Sequence, residues 1–399
     1  MTRDKLIVIF SFVLIFMFSS IDNAISPMVE PLGKFYGVSM QSVILLISYC
    51  TMGIITGVFI GPALTASFNA GRVVFLSACG MVIPLALFLM TDNFQLAIIY
   101  RIFFGFFLGT AASTMWWIAY YGVSKEYYPS MVVVLMAARP LALALGVPAA
   151  GLMAASYKWQ IPYSIFGIFI FLSGLVLLLK IVDAGNPPKE KFSFKKIFTG
   201  YLDAYRIPFL PLFYTGLTLN RMCYFGFYSF MGLWFVTHYQ TSVSDISKAL
   251  LFIGLAETLV NFAVPPLVRF FGNKNLFTMS IILSGVVFAI FITGKLPLIA
   301  TVSLIAAFMV LDRLYVVTAV MAIPEMFSTS KNKTVFGSLN TLTAWAGLAL
   351  ISWLQGRFTE KLGIEYIEYL LLSVFIAGSA IMYYVQYRTV FNAKFQHGK

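Results

Sequence analysis

Long apolar runs separated by short polar breaks extend along almost the whole chain, which has 399 residues. A helix needs about 20 apolar residues to cross the hydrocarbon core of a bilayer. Runs of about that length predict twelve membrane spans, at 6–30, 40–64, 72–90, 96–122, 131–155, 162–182, 207–237, 245–269, 275–293, 297–322, 333–356 and 366–388. The pattern therefore predicts an all-α polytopic membrane protein.

The longest polar stretch, 183–206, divides the predicted spans into two sets of six. It contains a proline pair and several lysines, and is typical of a cytoplasmic linker. The segment 61–80, after the second span, is weakly similar to the segment 264–285, after the eighth. Repeats of this kind occur in transporters that bind their solute between two bundles. We expect an N-terminal six-helix bundle at 1–182, a linker at 183–206 and a C-terminal six-helix bundle at 207–399.

Composition agrees with a membrane protein and argues against several other classes. Hydrophobic residues make up 60% of the chain and charged residues 11%, whereas soluble proteins carry about 25% charged residues. The cysteines form no CxxC pair and the two histidines are far apart, so we expect no disulfide framework, no metal site and no cofactor. Zinc-protease, nucleophile-elbow and phosphate-loop motifs are absent from the sequence, so we expect neither an enzyme nor ATP-driven transport.

The distribution of lysine and arginine predicts the orientation of the chain. The net charge of +12 does not indicate a nucleic-acid partner, because the basic residues gather in alternate loops. Under the positive-inside rule this pattern predicts that both termini are cytoplasmic, in a protein of the inner (cytoplasmic) membrane. The N-terminal apolar run lacks a small-residue cleavage site, and we interpret it as the first span rather than a signal peptide.

Seven ionisable residues lie well inside the predicted spans. A charge in the bilayer is costly unless it is paired or faces water, so such residues are functional candidates by default. A carboxylate in a partly dry cavity takes up or releases a proton as its surroundings change, which makes the acids candidates for proton coupling, in the order Asp22, Glu257, Asp312. The arginines are candidate charge partners or cavity-lining groups: Arg101, Arg139, Arg221 and Arg313. A static pair that only holds helices together, such as Asp22 with Arg101, is the alternative for each acid.

Aromatic residues close to these charges are candidates for a substrate-binding wall. Tyr224 and Tyr228 follow Arg221 in the seventh span, and Trp345 is central in the eleventh. Packing or lipid contact is an equally good interpretation of each one. Asp312 and Arg313 are adjacent, and neighbours on a helix point roughly 100° apart, so we do not expect them to pair with each other.

Two segments resemble motifs of the major facilitator superfamily and a third departs from its motif, while the likeness covers nearly the whole chain. The fourth span has the family's R-x-x-x-G pattern, and the fifth has a G-V-P-A-A-G sequence that resembles the antiporter motif of drug and sugar efflux members. The loop after the second span has Thr65, Ala66 and Ser67 where the family has an acid. Tight helix packing is the alternative interpretation of the fifth-span glycines. The residues to which the resemblance assigns a part in gating are Gly61, Gly71, Arg72, Gly105, Gly109, Gly146, Pro148 and Gly151.

The resemblance implies a major facilitator fold of two six-helix bundles that works by alternating access. We expect a secondary active transporter that moves a small organic solute across the cytoplasmic membrane by proton-coupled efflux, as in the drug:proton antiporter-like branch. The alternative is a proton-driven importer of a nutrient or of a metal-chelate of the siderophore type, and a non-transporting membrane receptor ranks below both. The expected partners are the substrate, protons and the lipid bilayer, without nucleic acid, and we expect a monomer.

Overall fold

Twelve long helices occupy the predicted spans in the part of the chain that the computed structural model describes, which is residues 2–181, 199, 202–203, 205–326 and 333–396. No strand occurs in these residues. The helices are α1 Arg3–Asn23, α2 Leu45–Ser67, α3 Ala70–Met90, α4 Phe94–Trp117, α5 in two segments Tyr128–Leu141 and Val147–Ser156, α6 Gln160–Ile181, α7 Leu210–Tyr239, α8 Val243–Phe271, α9 Asn273–Phe291, α10 Leu298–Met326, α11 Lys333–Leu362 and α12 Ile364–Gln396. The prediction of an all-α chain is confirmed, and most of the linker predicted at 183–206 lies outside the described residues.

Asparagine side chains define where two of these helices begin. Asn69 Oδ1 accepts a hydrogen bond from the backbone N–H of Arg72 at 3.2 Å, at the start of α3. Asn93 Oδ1 accepts from the N–H groups of Gln95 at 2.9 Å and Leu96 at 3.2 Å, at the start of α4. The first N–H groups of a helix have no partner within it, so such caps fix its end.

Prolines coincide with two interruptions of regular helix. After α1 the chain forms a 3₁₀ turn, Ser26–Met28, which contains Pro27, and then a short helix, Val29–Tyr36. The two segments of α5 are joined by a π-helical turn, Ala142–Gly146. Pro148 lies in the first turn of the second segment, where a missing N–H is tolerated.

Nine helical stretches in the described part of the chain can cross a membrane by length and composition. α7, α8 and α11 are not among these nine. Their interiors contain polar side chains that lower their hydropathy, including buried Asn220 in α7, Glu257 in α8 and Gln355 in α11. Polar groups inside membrane helices face other protein or water rather than lipid. We therefore expect α7, α8 and α11 to contribute to a functional site.

The chain forms two compact units. Unit 1 contains the described residues of Met1–Phe194, Ser229–Gly254 and Ser352–Arg357. Unit 2 contains the described residues of Lys195–Tyr228, Leu255–Ile351 and Phe358–Lys399. α1 to α6 thus belong to unit 1 together with one end each of α7 and α8 and an internal stretch of α11. The division into bundles at 1–182 and 207–399 stays a prediction.

Glycines bring α2 and α4 into close contact within unit 1. A Cβ atom on Gly53 or Gly57 of α2 would overlap the backbone of α4. A Cβ atom on Gly105 or Gly109 of α4 would in turn overlap the backbone of α2. Small residues spaced four apart allow this approach in membrane helices, where dispersion contacts rather than the hydrophobic effect hold helices together. Arg101 lies one turn before Gly105 on α4, so this contact helps to set its position along α1 and α2.

Candidate functional site

Asp22 and Arg101 form a buried pair in unit 1. Asp22 is at the end of α1 and Arg101 is in the first half of α4. The exposed fraction is 2% for Asp22 and 1% for Arg101. Arg101 Nη2 donates a hydrogen bond to the backbone oxygen of Asp22 at 3.2 Å and lies 3.7 Å from Asp22 Oδ1. The structure therefore brings together the two residues that the sequence named as a possible static pair.

Both carboxylate oxygens of Asp22 have further donors. Cys50 Sγ donates to Oδ1 at 3.4 Å, and Asn23 Nδ2 donates to Oδ2 at 3.3 Å. Breaking a buried, hydrogen-bonded pair costs about 3–5 kcal/mol, because the remaining partner keeps its charge without compensation. The contacts of Asp22 are those of a fixed structural pair.

An aromatic enclosure surrounds the guanidinium of Arg101. Its Cζ atom lies 5.3 Å from the ring centroid of Phe104 and 6.0 Å from that of Phe88. The ring of Phe88 is 5.6 Å from Trp159 and 5.9 Å from Tyr163. Such cation–π contacts are strongest where water is excluded. Sequence reasoning missed this enclosure. The position of Trp159, just after the end of the fifth span, was the one signal in the sequence.

Four ionisable side chains meet in unit 2, and we call them the charged quartet: Arg221 of α7, Glu257 of α8, and Asp312 and Arg313 of α10. Arg313 Nη2 donates a hydrogen bond to Glu257 Oε1. The strongest electrostatic interaction of Asp312 with another charged side chain is with Arg221, and weaker ones are with Arg313 and Glu257. As the sequence predicted, the adjacent Asp312 and Arg313 are not each other's main partner.

The members of the quartet differ in burial and in hydrogen bonding. Glu257 and Asp312 are 2% and 4% exposed, whereas 22% of the Arg313 side chain is exposed and Arg221 is half-buried. In the described part of the chain, Asp312 Oδ1 and Arg313 Nε have no hydrogen-bond partner. A buried acceptor without a donor costs about 1–3 kcal/mol. Among the three buried acids Asp22, Glu257 and Asp312, it is thus Asp312 whose hydrogen bonding is incomplete.

Aromatic side chains lie around the quartet. Tyr224 is buried and interacts electrostatically with Glu257, Arg313 and Asp312. The Cζ atom of Arg221 lies 5.8 Å from the ring centroid of Phe225. Tyr228 and Trp345, the other two predicted wall residues, are buried in unit 2 as well. The charged quartet, on α7, α8 and α10, therefore lies beside aromatic side chains of α7.

Hydroxyl groups occupy the place where the family has an acid after the second span. Thr65 Oγ1 is buried and lies 2.9 Å from Thr114 Oγ1 of α4. Gly61, one turn earlier, packs on Ser113 so closely that a Cβ atom would overlap its hydroxyl. Arg72 is exposed and Gly71 packs on Ile181 at the end of α6. The junction is held by neutral hydrogen bonds and close packing.

The fifth-span motif lies at close helix contacts within unit 1. A Cβ atom on Gly146 would overlap Ser20 of α1, and one on Gly151 would overlap Ser247 of α8. Pro148 is buried between them and Arg139 is half-buried one segment earlier. The structure therefore gives these glycines a packing role, and their part in gating stays a prediction.

Several close-packed glycines were missed by sequence reasoning. Gly53 and Gly57 precede Gly61 at four-residue spacing, and this pattern was readable from the sequence. Gly232 packs on the backbone of Ser26, and Gly254 on the backbone of Ala144. Those contacts join segments far apart in the chain, so no local pattern reveals them. No group of three or more metal-binding side chains occurs among the residues that the structure describes.

Comparisons with known proteins agree with the fold described above. The sequence profile of the Major Facilitator Superfamily matches residues 8–351. An uncharacterized MFS-type transporter of Bacillus subtilis (strain 168), YceJ, is 23% identical over 239 residues, which are 59% of this chain and 60% of that protein. The chain thus spans less than two thirds of that relative.

Solved structures of transporters superpose on nearly the whole chain. A nucleoside transporter, a mutant of NupG, has a TM-score of 0.71 at 12% identity over 98% of this chain and 99% of the other. A D-xylose–proton symporter has 0.69 at 15% identity over 96% and 98%. The human organic anion transporter TETRAN has 0.67 at 14% identity over 96% and 100%. At these identities the likeness concerns the fold, which in this family has twelve membrane helices.

Proposed function

This chain belongs to the Major Facilitator Superfamily, a family of transporters, and from this premise we propose that it couples the movement of a small organic solute to proton movement through Asp312. The protein is a multi-pass membrane transporter of a small molecule and not an enzyme. The observation that carries the proposal is the buried carboxylate oxygen of Asp312 that lacks a donor. A proton on Asp312 removes the negative charge from this carboxyl group, so the oxygen no longer needs a donor to compensate a buried charge.

Asp312 now ranks before Glu257 and Asp22 as the coupling residue, which reverses the order drawn from the sequence. Asp22 has donors on both oxygens and a buried arginine beside it, so its protonation would break a complete set of contacts. Glu257 is hydrogen-bonded to Arg313. Asp312 faces several ionisable groups: Arg221 and Cys223 from α7, Glu257 from α8, and Arg313 and Tyr315 from its own helix.

The expected direction of transport depends on whether the quartet binds the solute when Asp312 is ionised or when Asp312 is protonated. When Asp312 is ionised, the two acids and two arginines of the quartet compensate each other. Protonation of Asp312 removes a carboxylate charge that interacts with both Arg221 and Arg313, and leaves the two guanidinium groups with one ionised acid between them. The solute then binds best to the proton-loaded protein, and by reciprocity the bound solute raises the affinity for the proton by the same factor. This favours proton-driven uptake, the alternative that the sequence left open.

Proton-coupled efflux is the second candidate, and a specific observation favours it. The fifth-span motif that resembles the antiporter motif lies at two close contacts, Gly146 on Ser20 and Gly151 on Ser247. A tightly packed helix can seal one side of a solute cavity, as that motif implies. In an exchanger the solute binds to the deprotonated protein, so uptake and efflux differ in the effect of a proton on solute binding.

Transport by intact cells tests the proposal. Cells that express the chain, Asp312→Asn or the exposed control Asp92→Asn receive a mixture of isotope-labelled sugars, nucleosides, amino acids and carboxylic acids. We expect at least one component to accumulate with the wild type and the control, and to lose accumulation with Asp312→Asn or with a protonophore. Depletion below the level of empty cells would favour efflux. Equal accumulation in all variants, insensitive to the protonophore, would contradict proton coupling through Asp312.

A further inference from the structure

Arg313 is one of the two members of the charged quartet that are not fully buried, the other being Arg221. Its side chain is 22% exposed, whereas the Glu257 side chain that accepts its hydrogen bond is 3% exposed. Arg313 lies halfway along α10, where an arginine that faces lipid costs about 2.5–3.5 kcal/mol. The exposed part of the side chain is therefore best accommodated by a water-filled space rather than by hydrocarbon. The acids of the quartet lie behind the guanidinium.

The charge of the quartet defines what can bind there. Two arginines and two ionised acids sum to zero, and a proton on Asp312 leaves a net charge of one positive unit. Arg313 Nε is buried and has no hydrogen-bond partner in the described part of the chain. A guanidinium presents several donors in a planar fork that fits the two oxygens of a carboxylate. The protonated quartet thus complements one negative charge and one planar acceptor.

We propose that the solute is a small organic monoanion of the carboxylate type, which binds to Arg313 when Asp312 carries a proton. This inference rests on the proposed function, because it uses the same site and the same proton. The anion and the proton together bring no net charge into the quartet. The loaded site is then as neutral as the empty deprotonated site, which lowers the cost of moving either one through the membrane.

The residues of the quartet have different roles in this scheme. Arg313 touches the solute and supplies the charge-assisted hydrogen bonds. Glu257 is a positioning residue, because it holds Arg313 by accepting a hydrogen bond from Nη2. Asp312 sets the charge of the site. Lysine at position 313 would keep the charge but lose the planar fork.

Transport into proteoliposomes with the purified full-length chain tests the substrate class. The external solution contains a panel of small carboxylic acids, each with its matched carboxamide and its matched primary amine, and the vesicle contents are identified by mass spectrometry. The driving force is either a pH gradient without membrane potential or a potassium diffusion potential without pH gradient. We expect carboxylates to accumulate under the pH gradient alone, at least tenfold more than their own amides and amines, and at least tenfold more than in protein-free vesicles, into which weak acids diffuse.

Each outcome bears on one of the two proposals. If only amides or amines accumulate and both driving forces act, the solute is not an anion, and proton coupling stands. If acids accumulate but neither driving force matters, proton coupling through Asp312 is wrong, while the substrate class stands. If no carboxylate in the panel accumulates, the inference of a monoanion is overturned.

Variants of Arg313 separate binding from folding. We expect Arg313→Gln to lower carboxylate accumulation about tenfold to hundredfold, the range for lost hydrogen bonds to a charged group. Arg313→Lys should retain part of the accumulation with a raised half-saturating concentration. The exposed Arg357→Gln loses the same charge elsewhere and should behave as the wild type. Equal transport by Arg313→Gln and Arg357→Gln, with both proteins monodisperse, would overturn the role of Arg313.

Discussion

Asp22 and Asp312 are both buried carboxylates, and their contacts separate their roles. Asp22 accepts from Cys50 and Asn23 and lies beside Arg101, whereas one oxygen of Asp312 has no hydrogen-bond partner in the described residues. From the sequence alone Asp22 ranked before Asp312, although each was an acid inside an apolar run. Under the proposed function, hydrogen bonding distinguishes the fixed Asp22 from Asp312, which changes its protonation state.

Removing the charge of Asp22 should destabilise the protein. In Asp22→Asn the guanidinium of Arg101 stays buried, without its counter-charge, among aromatic rings. We expect the free energy of unfolding to fall by about 3–5 kcal/mol, as for other broken buried pairs, and thermal unfolding monitored by tryptophan fluorescence in detergent measures the loss.

The exposed Asp92→Asn on the loop before α4 is the matched control and should change stability by less than about 0.5 kcal/mol. A stability of Asp22→Asn equal to that of this control would mean that the pair does not hold α1 and α4 together.

At the scale of elements, the contact between α2 and α4 was only half visible in the sequence. The four-residue spacing of Gly53, Gly57 and Gly61 indicates a helix face for close packing. It does not indicate the partner, because any helix with small residues can fill such a face. Gly105 and Gly109 were assigned to gating from the resemblance, and the structure shows them packed on α2.

Enlarging a glycine at this contact should separate the helices. A Cβ atom on Gly57 overlaps the backbone of α4, and backbone cannot move aside as a side chain can. We expect Gly57→Leu to lower the free energy of unfolding by about 1–3 kcal/mol or more, the range for overpacking, in the same thermal assay.

Thr56→Leu is the control for this change, because Thr56 is the exposed neighbour on the same helix. It also places a leucine side chain on α2, with a smaller gain in volume, at an exposed position, and should leave stability unchanged. An equal loss in both variants would assign the effect to α2 itself rather than to its contact with α4.

At the scale of the whole molecule, unit 1 includes segments from both halves of the chain. Within this unit the α7 residue Gly232 packs on the backbone of Ser26, which follows α1. Ser26 is 1% exposed in this arrangement. A transporter that works by alternating access must open such contacts during its cycle, so the glycine is a position from which the equilibrium between states can be shifted.

We expect Gly232→Ala to expose Ser26, because the added Cβ atom overlaps the Ser26 carbonyl. In a Cys79→Ala background, Ser26→Cys should react slowly with a maleimide of high molecular mass, and several-fold faster when combined with Gly232→Ala. A mobility shift on a denaturing gel measures the reaction. Lys34→Cys, whose native side chain is 76% exposed, should react fully with either residue at 232.

Unchanged reactivity of Ser26→Cys in the Gly232→Ala protein, with Lys34→Cys fully labelled, would show that this contact does not keep the segment closed.

The orientation of the whole chain has its own test. The positive-inside rule predicts both termini in the cytoplasm. A green fluorescent protein joined to the C-terminus should fluoresce, and alkaline phosphatase at the same position should be inactive. The same two reporters after Lys34, on the side opposite to the termini, should give the reverse result. Active phosphatase at the C-terminus would invert the orientation.

The sequence by itself determined the helices, their approximate ends and the residues that bear charge within them. It could do so because helix length, apolar runs and capping are local properties, set by the bilayer thickness and by neighbours in the chain. The match of the described helices to the twelve predicted spans follows from this.

Only the tertiary structure decided which charges meet. Arg221, Glu257 and Arg313 lie on three helices far apart in the chain, and their distances depend on how those helices pack and rotate. The same holds for the enclosure of Arg101 and for the missing donor at Asp312. Whether a buried acid is fixed or able to exchange a proton depends on its partners in space, and a linear pattern does not contain them.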